Sequence, residues 1–450
     1  MSRHFASSIQ PRLIEAIDEV CNDAVDASEL LVIDRLELDL GLVRPDSMER
    51  DLLVLVREKL RAELQIRRNE RTLEERRELL HQSTLENILY ALKTGTLPWW
   101  AVSDTFDLNE QILLLDAPSL QWLLNALRET QDASYAWERM ALRCSDDAIA
   151  LIVGSSSILT SAVQAFFERI NQLKTSYTGI LDSVATSKQT VAREIIRAGG
   201  SLLSGSDTNS ALARMMMNLV VAAVGQDIAI AGPEGASIIS TIETLFSLSA
   251  GSLQAVLSHT EEPVPSMKTD TILSSPQGST GIDAIESLST NTAGLVIAAV
   301  YIPMFFERHG FTRNNEFVSG AHRFEAVQAL GYLSYGRGDV EEHLLVMEKL
   351  WCGLDLREPI PPGAPMTSER CAQCDELLHA IVENWSVLKN TSIAGLRETF
   401  LRRPGLLERR EHSWHLVVER RTVDVLLERL PWTISRVTFP WTNLPIEVEW

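Results

Sequence analysis

The stretch from Ser413 to Trp450 constrains the fold more than any other part of the chain, because it holds four of the ten tryptophans. Apolar and polar residues alternate in three short runs, and this period of two is typical of half-buried strands. The runs begin at Trp414, Val437 and Ile446. Between the first two runs, apolar residues recur at helical spacing from Val423 to Leu430, and Pro431 and Pro440 interrupt the pattern. The spacing predicts a strand, helix, strand, strand unit whose last residue, Trp450, is packed, since an ordered chain end must be tied down.

A net charge of -20 and a pI near 5.0 argue against nucleic acid and anionic membranes as partners, because both bind cationic surfaces. No charged and apolar leader stands before residue 30, and five cysteines are an odd number for a disulfide framework. Both observations predict a protein that is made and folded in the cytosol. The most apolar window, Met215–Val224, is about half as long as a membrane span, which favours a buried helix and no stable membrane insertion.

The chain divides into five segments of different composition. These are a helix, strand, helix module at 1–66, a helical domain at 67–149, a variable helical segment rich in Ala, Ser and Gly at 150–258, a linker at 259–290, and a C-terminal domain of helices and strands at 291–450. The predicted fold class is therefore α+β and predominantly α-helical, with short strands at 31–40 and 413–450.

The first segment contains one strand pattern between two helical ones. Residues 36–40 alternate strictly between leucine and an acidic residue, with Leu36 and Leu38 on the apolar side, and Gly41 ends the run. This pattern predicts a strand with one buried and one acidic face. The residues expected to face inward from the two helices are Ile9, Leu13, Ile14, Ile17 and Val20, and then Leu52, Leu53, Leu55, Val56 and Leu60. Asp46 or Ser47 is placed to cap the second helix.

The run from residue 67 to 95 is dense in arginine and glutamate at helical spacing, which is typical of a solvated helical face. Gly95 ends this helix and Pro98 turns the chain. Trp99 and Trp100 are adjacent and must point in different directions, so we expect at least one of them to meet another domain or subunit. Two further helices are predicted over 106–145, with Leu113 to Leu115, Trp122, Leu123, Leu124 and Leu127 as apolar anchors.

Glycines are frequent between residues 151 and 257 and predict several short helices instead of one rod, because an interior glycine costs a helix about 1 kcal/mol relative to alanine. They stand at 199, 200, 205, 225, 232 and 235. The following stretch, 259–290, is rich in Pro, Ser, Thr and Gly, which is typical of a linker.

Residues 291–405 again show regular helical patterns. Apolar residues expected in the core of the first helix are Leu295, Val296, Ile297, Val300, Met304 and Phe305, and further helices are centred on Leu330, Leu350 and Leu378. Asn390, Thr391 and Ser392 offer side-chain oxygens that can cap a helix carrying Ile393, Leu396, Phe400 and Leu401.

No catalytic, cofactor-binding or metal-binding residues are predicted. Residues 200–207 have the two-glycine spacing of a phosphate loop, but Ser206 stands where the loop lysine is required. Cys371 and Cys374, with Cys352 and His379 nearby, could supply zinc ligands, or they are ordinary thiols. Their place on or beside one predicted helix, without a second ligand pair, favours ordinary thiols.

Several motifs together carry a resemblance. They are FFERHGF at 305–311, HRFEAVQALGYL at 322–333, LVMEKLWCGL at 345–354, NWSVLKNTSIAGLRETFLRRPG at 384–405, WHLVVERRTVDVLLERLPW at 414–432 and PWTNLPIEVEW at 440–450, with IDRLELDLG at 33–41 and TGTLPWW at 94–100 near the N-terminus. The series resembles the tape measure protein family of contractile injection systems over residues 1 to about 100 and 291–450. Residues 150–290 show no resemblance. The positions that carry it are Leu36, Leu38, Gly41, Gly95, Pro98, Trp99, Trp100, Cys352, Gly353, Trp385, Asn390, Thr391, Ser392, Gly395, Leu396, Arg397, Trp414, Glu419, Pro431, Trp432, Pro440, Trp441 and Trp450.

The resemblance implies a structural component of a phage-tail-like particle, with no enzymatic activity and no cofactor. It further implies a place in the lumen of the inner tube, a link to the spike or baseplate, a role in setting tube length, and inner tube, spike and baseplate proteins as partners. We also expect a homo-oligomer.

The short, glycine-rich middle section keeps a second hypothesis open. A ruler is expected to be long and helical, and the whole chain as one helix would reach at most about 675 Å at ~1.5 Å per residue. The alternative is a baseplate-proximal scaffold or cargo adaptor that nucleates assembly without setting length.

Overall fold

The computed structural model forms two compact units, Met1–Glu86 and Asn87–Trp450. It describes residues 10–24, 33, 36–40, 48–70, 73–98, 101, 105–130, 133–176, 187–203, 208–224, 233–253, 287–362, 366–388 and 391–450. The structure is 67% helical, and the strands that it describes are short and concentrated near the C-terminus. The predicted class, predominantly α with some β, is confirmed. The finer division into five segments stays a prediction.

The first unit contains helices α1 (Gln10–Ala24) and α2 (Met48–Glu70) and the first part of α3 (Leu73–Thr94). Helix α1 buries Ala16 and Val20, whereas Ile14 and Ile17, which we expected to face inward, are 51% and 37% exposed. The apolar residues of α2 face inward as predicted, with Leu53, Val56 and Leu60 buried and Leu52 and Leu55 half-buried. Two ion pairs, Arg57–Glu19 and Arg61–Asp23, join the exposed edges of α1 and α2.

The predicted N-terminal strand is wrong for the residues that the structure describes. Ile33 and residues 36–40 form an irregular segment, although the predicted alternation is present: Leu36 and Leu38 are half-buried, and Glu37 and Asp39 are exposed. Leu36 and Leu38 pack beside Val20 of α1 and Leu60 of α2. Burying one face against helices therefore satisfies the sequence pattern without a sheet. Gly41, Asp46 and Ser47 lie outside the described residues.

Three helices, instead of the predicted two, occupy residues 108–143. They are α4 (Leu108–Leu113), α5 (Ala117–Glu129) and α6 (Ser134–Arg143). The extra helix start arises because two aspartates act as caps: Asp107 accepts hydrogen bonds from the backbone N–H groups of Asn109 and Glu110, and Asp116 accepts one from Ser119. Leu114 and Trp122, which we expected to be anchors, are 80% and 44% exposed.

Among the described residues between 146 and 245 six helices follow, which confirms several helices in place of one rod. They are α7 (Asp146–Ser155), α8 (Ser157–Ser176), α9 (Lys188–Arg197), α10 (Gly199–Leu203), α11 (Thr208–Val224) and α12 (Pro233–Leu245). The apolar window at 215–224 lies in α11, and Met215, Met216, Met217 and Val220 are buried, as predicted. Among the described residues no single helix is both long and apolar enough to cross a membrane; α7 and α8 reach that length and composition only as a pair, bent by 110°.

Two of the glycines in this region make room for a side chain and do not interrupt a helix. Gly199 and Gly200 lie at the start of α10, against the indole of Trp137 in α6. A Cβ atom on Gly199 or Gly200 would lie 2.6 or 2.9 Å from that ring. The missing side chains therefore allow a buried tryptophan to approach the backbone. Gly205, Gly225 and Gly232 fall outside the described residues.

The C-terminal part of the second unit carries a five-stranded mixed sheet in the order β1-β4-β5-β7-β6. Its strands are β1 (Ser287–Thr290), β4 (Gly405–Arg409), β5 (Trp414–Val418), β6 (Arg436–Val437) and β7 (Ile446–Glu449), and β2 (Thr312–Arg313) and β3 (Glu316–Phe317) form a separate hairpin. All pairs in the larger sheet are antiparallel except β5–β7, which are parallel with Leu416 opposite Val448. A 3₁₀ helix, Thr422–Arg429, lies between β5 and β6. The predicted strand, helix, strand, strand unit is confirmed.

Strand β1 corrects the expected linker. Its four residues, 287–290, were assigned to the linker because they are Ser- and Thr-rich, but they pair with β4 from Ser287–Glu408 to Thr290–Gly405. The pairing buries Leu288 and Thr290, while Ser287 and Ser289 face outward. The rest of the predicted linker lies outside the described residues.

Helices between residues 293 and 401 supply the remainder of this part. They are a 3₁₀ helix (Ala293–Tyr301), α13 (Ile302–Arg308), α14 (Gly320–Tyr335), α15 (Val346–Trp351), α16 (Ser368–Asn384) and α17 (Ile393–Leu396), which continues as a π-helical turn over Arg397–Leu401. They share one apolar core with Leu407, Leu416 and Val418 of the sheet. Val300 and Met304, expected in the core, are 50% and 67% exposed. Val300 lies in the 3₁₀ helix, whose three-residue turn moves it away from the packed face, and Met304 lies in α13.

Candidate functional site

The C-terminal module, defined here as residues 405–450, is fastened to the rest of its unit by tryptophan side chains. The indole N–H of Trp432 donates to the carbonyl of Ile297 at 2.9 Å, and that of Trp441 donates to the carbonyl of Trp351 at 2.8 Å. The indole N–H of Trp450 donates to Asp424 within the module at 3.0 Å. Each of these tryptophans thus contributes both buried aromatic surface and a hydrogen bond from its indole N–H. The prediction that Trp450 is packed is confirmed.

Arg403 and Asp424 form the polar centre beneath Trp450. The Arg403 guanidinium is fully buried, donates to both carboxylate oxygens of Asp424 at 2.6 and 3.3 Å, and lies 5.6 Å from the Trp450 ring. It also donates to the carbonyls of Thr399 and Glu419 at 2.7 and 3.0 Å. Burial opposes ionisation of Asp424, but hydrogen bonds from the Arg421 backbone, Arg403 and Trp450 lower its pKa below the ordinary value.

No sequence pattern singles out Arg403. A basic residue just before a strand carries no local pattern that separates a buried arginine from an exposed one. Glu419, one of the positions that carry the resemblance, serves this centre through its backbone carbonyl, while its side chain is about half exposed and pairs with Arg421.

The Cys352–Gly353 step meets Trp441 directly. Gly353 has a φ of +66°, and a Cβ atom there would lie 3.0 Å from the Trp441 carbonyl oxygen. The Trp441 ring stacks on Phe439 with 5.4 Å between centroids and 2° between planes, and it also stacks on Phe306. Cys352 is buried, and burial raises the pKa of its thiol well above the ordinary value. The step therefore combines a left-handed turn, a neutral buried thiol and a close approach of the C-terminal module.

Helices α14 and α17 are joined through Ser392, Gly395 and Arg397. The Ser392 hydroxyl caps α17 by accepting from the Gly395 N–H at 3.1 Å, so the capping prediction is confirmed for Ser392. Arg397 donates to the carbonyls of Leu333 and Tyr332 at the end of α14, at 3.0 and 3.3 Å. Arg397 thus partners the Leu333 carbonyl near the helix end, where carbonyls lack partners within the helix. The Tyr332 carbonyl also accepts from the Gly336 N–H at 2.8 Å.

Gly95 closes over a buried ionic cluster in the second unit. It has a φ of +74° and follows α3, as predicted for the residue that ends this helix. A Cβ atom on Gly95 would lie 2.7 Å from a Glu342 carboxylate oxygen and 2.8 Å from an Arg139 guanidinium nitrogen. Arg139 pairs with Glu342 at 3.1 Å, and Lys349 pairs with the same carboxylate at 2.7 Å. Attraction to the two cations lowers the pKa of Glu342 despite burial, which acts in the opposite direction.

Glu348 is a second buried carboxyl group, with a different environment. Burial raises its pKa to about 7, although hydrogen bonds from its own backbone, Thr292 and Ser334 partly oppose the shift. The two hydroxyls lie 3.3 and 3.4 Å from its carboxylate oxygens. No sequence pattern marks this residue, which lies between Met347 and Lys349 in the short helix α15.

The other residues that carry the resemblance are dispersed through the fold. Trp385, Leu396, Trp414 and Pro98 are buried, Thr391 is half-buried, and Pro431 and Pro440 are exposed. Trp385 packs against Phe400 at 4.8 Å. Trp99, Trp100 and Asn390 lie outside the described residues, so the expected contact of the tryptophan pair stays a prediction.

The cysteines of α16 are far from a metal-binding arrangement. Cys374 is buried against the Ala329 carbonyl, and burial raises the pKa of its thiol to about 12. Within the described ranges, no three His, Cys, Asp or Glu side chains lie where they could hold one metal ion. Of the stretch with phosphate-loop spacing, the structure describes 200–203, which are helical in α10.

These features indicate the class of protein. The buried ion pairs, the glycines at close approaches and the indole hydrogen bonds all hold backbone segments together, as expected of a structural protein. The family model described as contractile injection system tape measure protein matches residues 1–450, and the chain belongs to this family. The match also spans residues 150–290, where the sequence motifs show no resemblance. No curated protein and no solved structure matches the chain.

Membership carries three consequences. The protein is a component of a contractile injection particle, it associates with other components of that particle, and the family implies a structural, non-enzymatic role.

Proposed function

We propose that the protein works in the lumen of the inner tube, linked to the spike or baseplate through its C-terminal module, after assembly in the cytosol. The observation that carries this proposal is the attachment of the module to the helices of residues 293–401 by Trp432 and Trp441. A protein that transmits force or position to a partner needs an end that does not fray, and these bonds provide one. The net charge of -20 favours protein partners over nucleic acid.

We further propose inner tube, spike and baseplate proteins as the partners, with the protein itself forming a homo-oligomer. Co-purification of the full-length chain with each partner tests the first point, and light scattering tests the second. In the partner assay, Trp450→Phe is a matched variant: it keeps the ring beside Arg403 but loses the 3.0 Å hydrogen bond to Asp424. We expect this variant to assemble, and removal of 413–450 to abolish particles. Normal particles without 413–450 would contradict the anchoring role.

Length determination is the finer part of the proposal. If the middle helices are read as an extended ruler, deleting residues 208–253 should shorten the tube by about 70 Å at ~1.5 Å per residue, and duplicating them should lengthen it equally. Electron microscopy of sheathed particles measures both. A length that stays constant in both variants would exclude the ruler.

One observation favours the alternative, a baseplate-proximal scaffold or cargo adaptor that nucleates assembly without setting length. Helices α7 and α8 are bent by 110°, and α9 packs against α6, α7 and α8. A segment folded back on itself spans less than its contour length. The same deletion of 208–253 separates the two functions, since a scaffold predicts normal length.

A further inference from the structure

The C-terminal part of the second unit has an apolar core of its own. Every buried residue of that core lies between Leu288 and Ile446, and the half-buried residues packed against it lie between Tyr301 and Trp450. Apolar burial is the main stabilising contribution in a folded domain. Residues 287–450 can therefore stay folded when contacts to the helices of residues 87–253 are broken.

The contact between these two parts includes a polar and incompletely packed region. Arg139, on α6 and 2% exposed, donates to both carboxylate oxygens of Glu342 at 3.1 and 3.2 Å and to the Arg357 carbonyl. Beside it, Phe106 meets His343 edge to face at 5.3 Å. A cavity of about 80 Å³ lies between these residues. Polar contacts around a cavity are typical of surfaces that separate, in contrast to a continuous apolar core.

If Arg139 moves away, the charged groups of the C-terminal part in this region still have partners within that part. Glu342 keeps Lys349, whose ammonium group donates to it at 2.7 Å and to the Leu356 carbonyl at 2.8 Å. Within the helices of residues 87–253, Arg139 keeps its hydrogen bond to the Leu92 carbonyl, and its guanidinium becomes accessible to water. A buried charge left without a partner is the usual cost of breaking such a pair. Here that cost is largely avoided.

We infer that the Arg139–Glu342 pair is a releasable joint, which lets the helices of residues 87–253 separate from the C-terminal part while both stay folded. Gly95 fits this role, because only a residue without a side chain can close over the pair in the joined state. The joint is independent of how the protein measures or nucleates a tube.

Hydrogen exchange on the full-length chain tests the inference. In Arg139→Met, we expect amides of residues 92–97 and 339–358 to exchange about tenfold or more faster, as in local opening. Amides of α14 and β5 should keep their protection, since the apolar core is untouched. The matched control is Arg193→Met, because Arg193 donates to the carbonyls of Ala141 and Cys144 within the helical part.

Two outcomes would overturn the joint. The first is a loss of protection throughout both parts in Arg139→Met, which would mean that the pair stabilises one indivisible unit. The second is unchanged exchange at 339–358 in Arg139→Met, or the same increase in Arg193→Met.

Discussion

Glu348 makes the stability of the C-terminal part depend on pH in an unusual direction. Its pKa is about 7 in the folded chain, against 4.5 ordinarily, because burial disfavours the carboxylate. The folded state therefore holds the proton more tightly than the unfolded state does. As pH rises from about 4.5 to about 7, the unfolded state loses this proton first, so stability falls in that window and then stays lower. At ~1.4 kcal/mol per pH unit, the shift corresponds to about 3 kcal/mol above pH 7.

Replacing Glu348 by glutamine removes the ionisation and keeps the size and hydrogen-bonding capacity of the side chain. We expect Glu348→Gln to unfold at nearly the same denaturant concentration as the wild-type chain at pH 5, and to be more stable by up to about 3 kcal/mol at pH 8. Tryptophan emission during denaturant unfolding measures this, because most of the tryptophans lie in the C-terminal part.

Glu341→Gln is the matched control for this experiment. Glu341 precedes Glu342 and forms a partly exposed ion pair with Arg337. Ion pairs of this kind contribute between zero and about 1 kcal/mol to stability, and this contribution does not depend on a buried, protonated carboxyl group. A Glu348→Gln variant that is less stable than the wild type at pH 8, or that keeps the wild-type change between pH 5 and pH 8, would refute the assignment of a protonated buried carboxyl.

Three further changes have expected outcomes that denaturant unfolding can check. Gly95→Ala should cost more than Gly310→Ala: both positions have positive φ, worth about 1–2 kcal/mol for alanine, but only at Gly95 would the new methyl group meet a side chain. Gly199→Ala should destabilise, because its Cβ would lie 2.6 Å from an indole carbon, whereas Gly154→Ala, with open space in α7, should stabilise by about 1 kcal/mol. Asp424→Asn should cost about 3 kcal/mol at pH 7 by leaving a buried guanidinium unpaired. Because the folded pKa of Asp424 is lowered, its stabilisation is present above about pH 4 and is lost in the wild type as pH falls through the folded pKa, so the acid loss should be smaller in the variant.

Local patterns predicted the elements whose structure depends on their own residues. The alternation at 414–418 and 446–449 is a strand pattern, and each strand has one face on the apolar core. Ser392 caps α17 because a cap needs only a side-chain oxygen three residues before a free N–H. Such features are short-range, so the sequence alone was sufficient to find them.

Pairing between distant segments was not predictable in the same way. Strand β1 has the composition of a linker and becomes a strand because β4 offers it a partner more than a hundred residues later. Arg139 and Glu342 are separated by 203 residues, and nothing near either one distinguishes it from a solvated charge. The segment at 36–40 shows the opposite error: a correct alternation was read as a strand, but helices supplied the buried surface.

Helix ends account for part of the use of tryptophan and arginine in the C-terminal part. Helices α13 and α15 have 7 and 6 residues, and the last four carbonyls of any α-helix lack a partner within it. A domain made of such helices therefore has many carbonyls to satisfy. Trp441 reaches the carbonyl of Trp351, the last residue of α15, and Arg397 reaches that of Leu333 near the end of α14.

Both donors extend from segments distant in sequence, so each bond completes a helix end and fixes a tertiary contact at once. An aliphatic residue at either position could fill the same volume but would leave a buried carbonyl without a partner, at a cost of about 1–3 kcal/mol. Two of the residues that carry the resemblance, Trp441 and Arg397, are thus explained by backbone chemistry. The rigidity that an anchoring end requires follows from the same bonds.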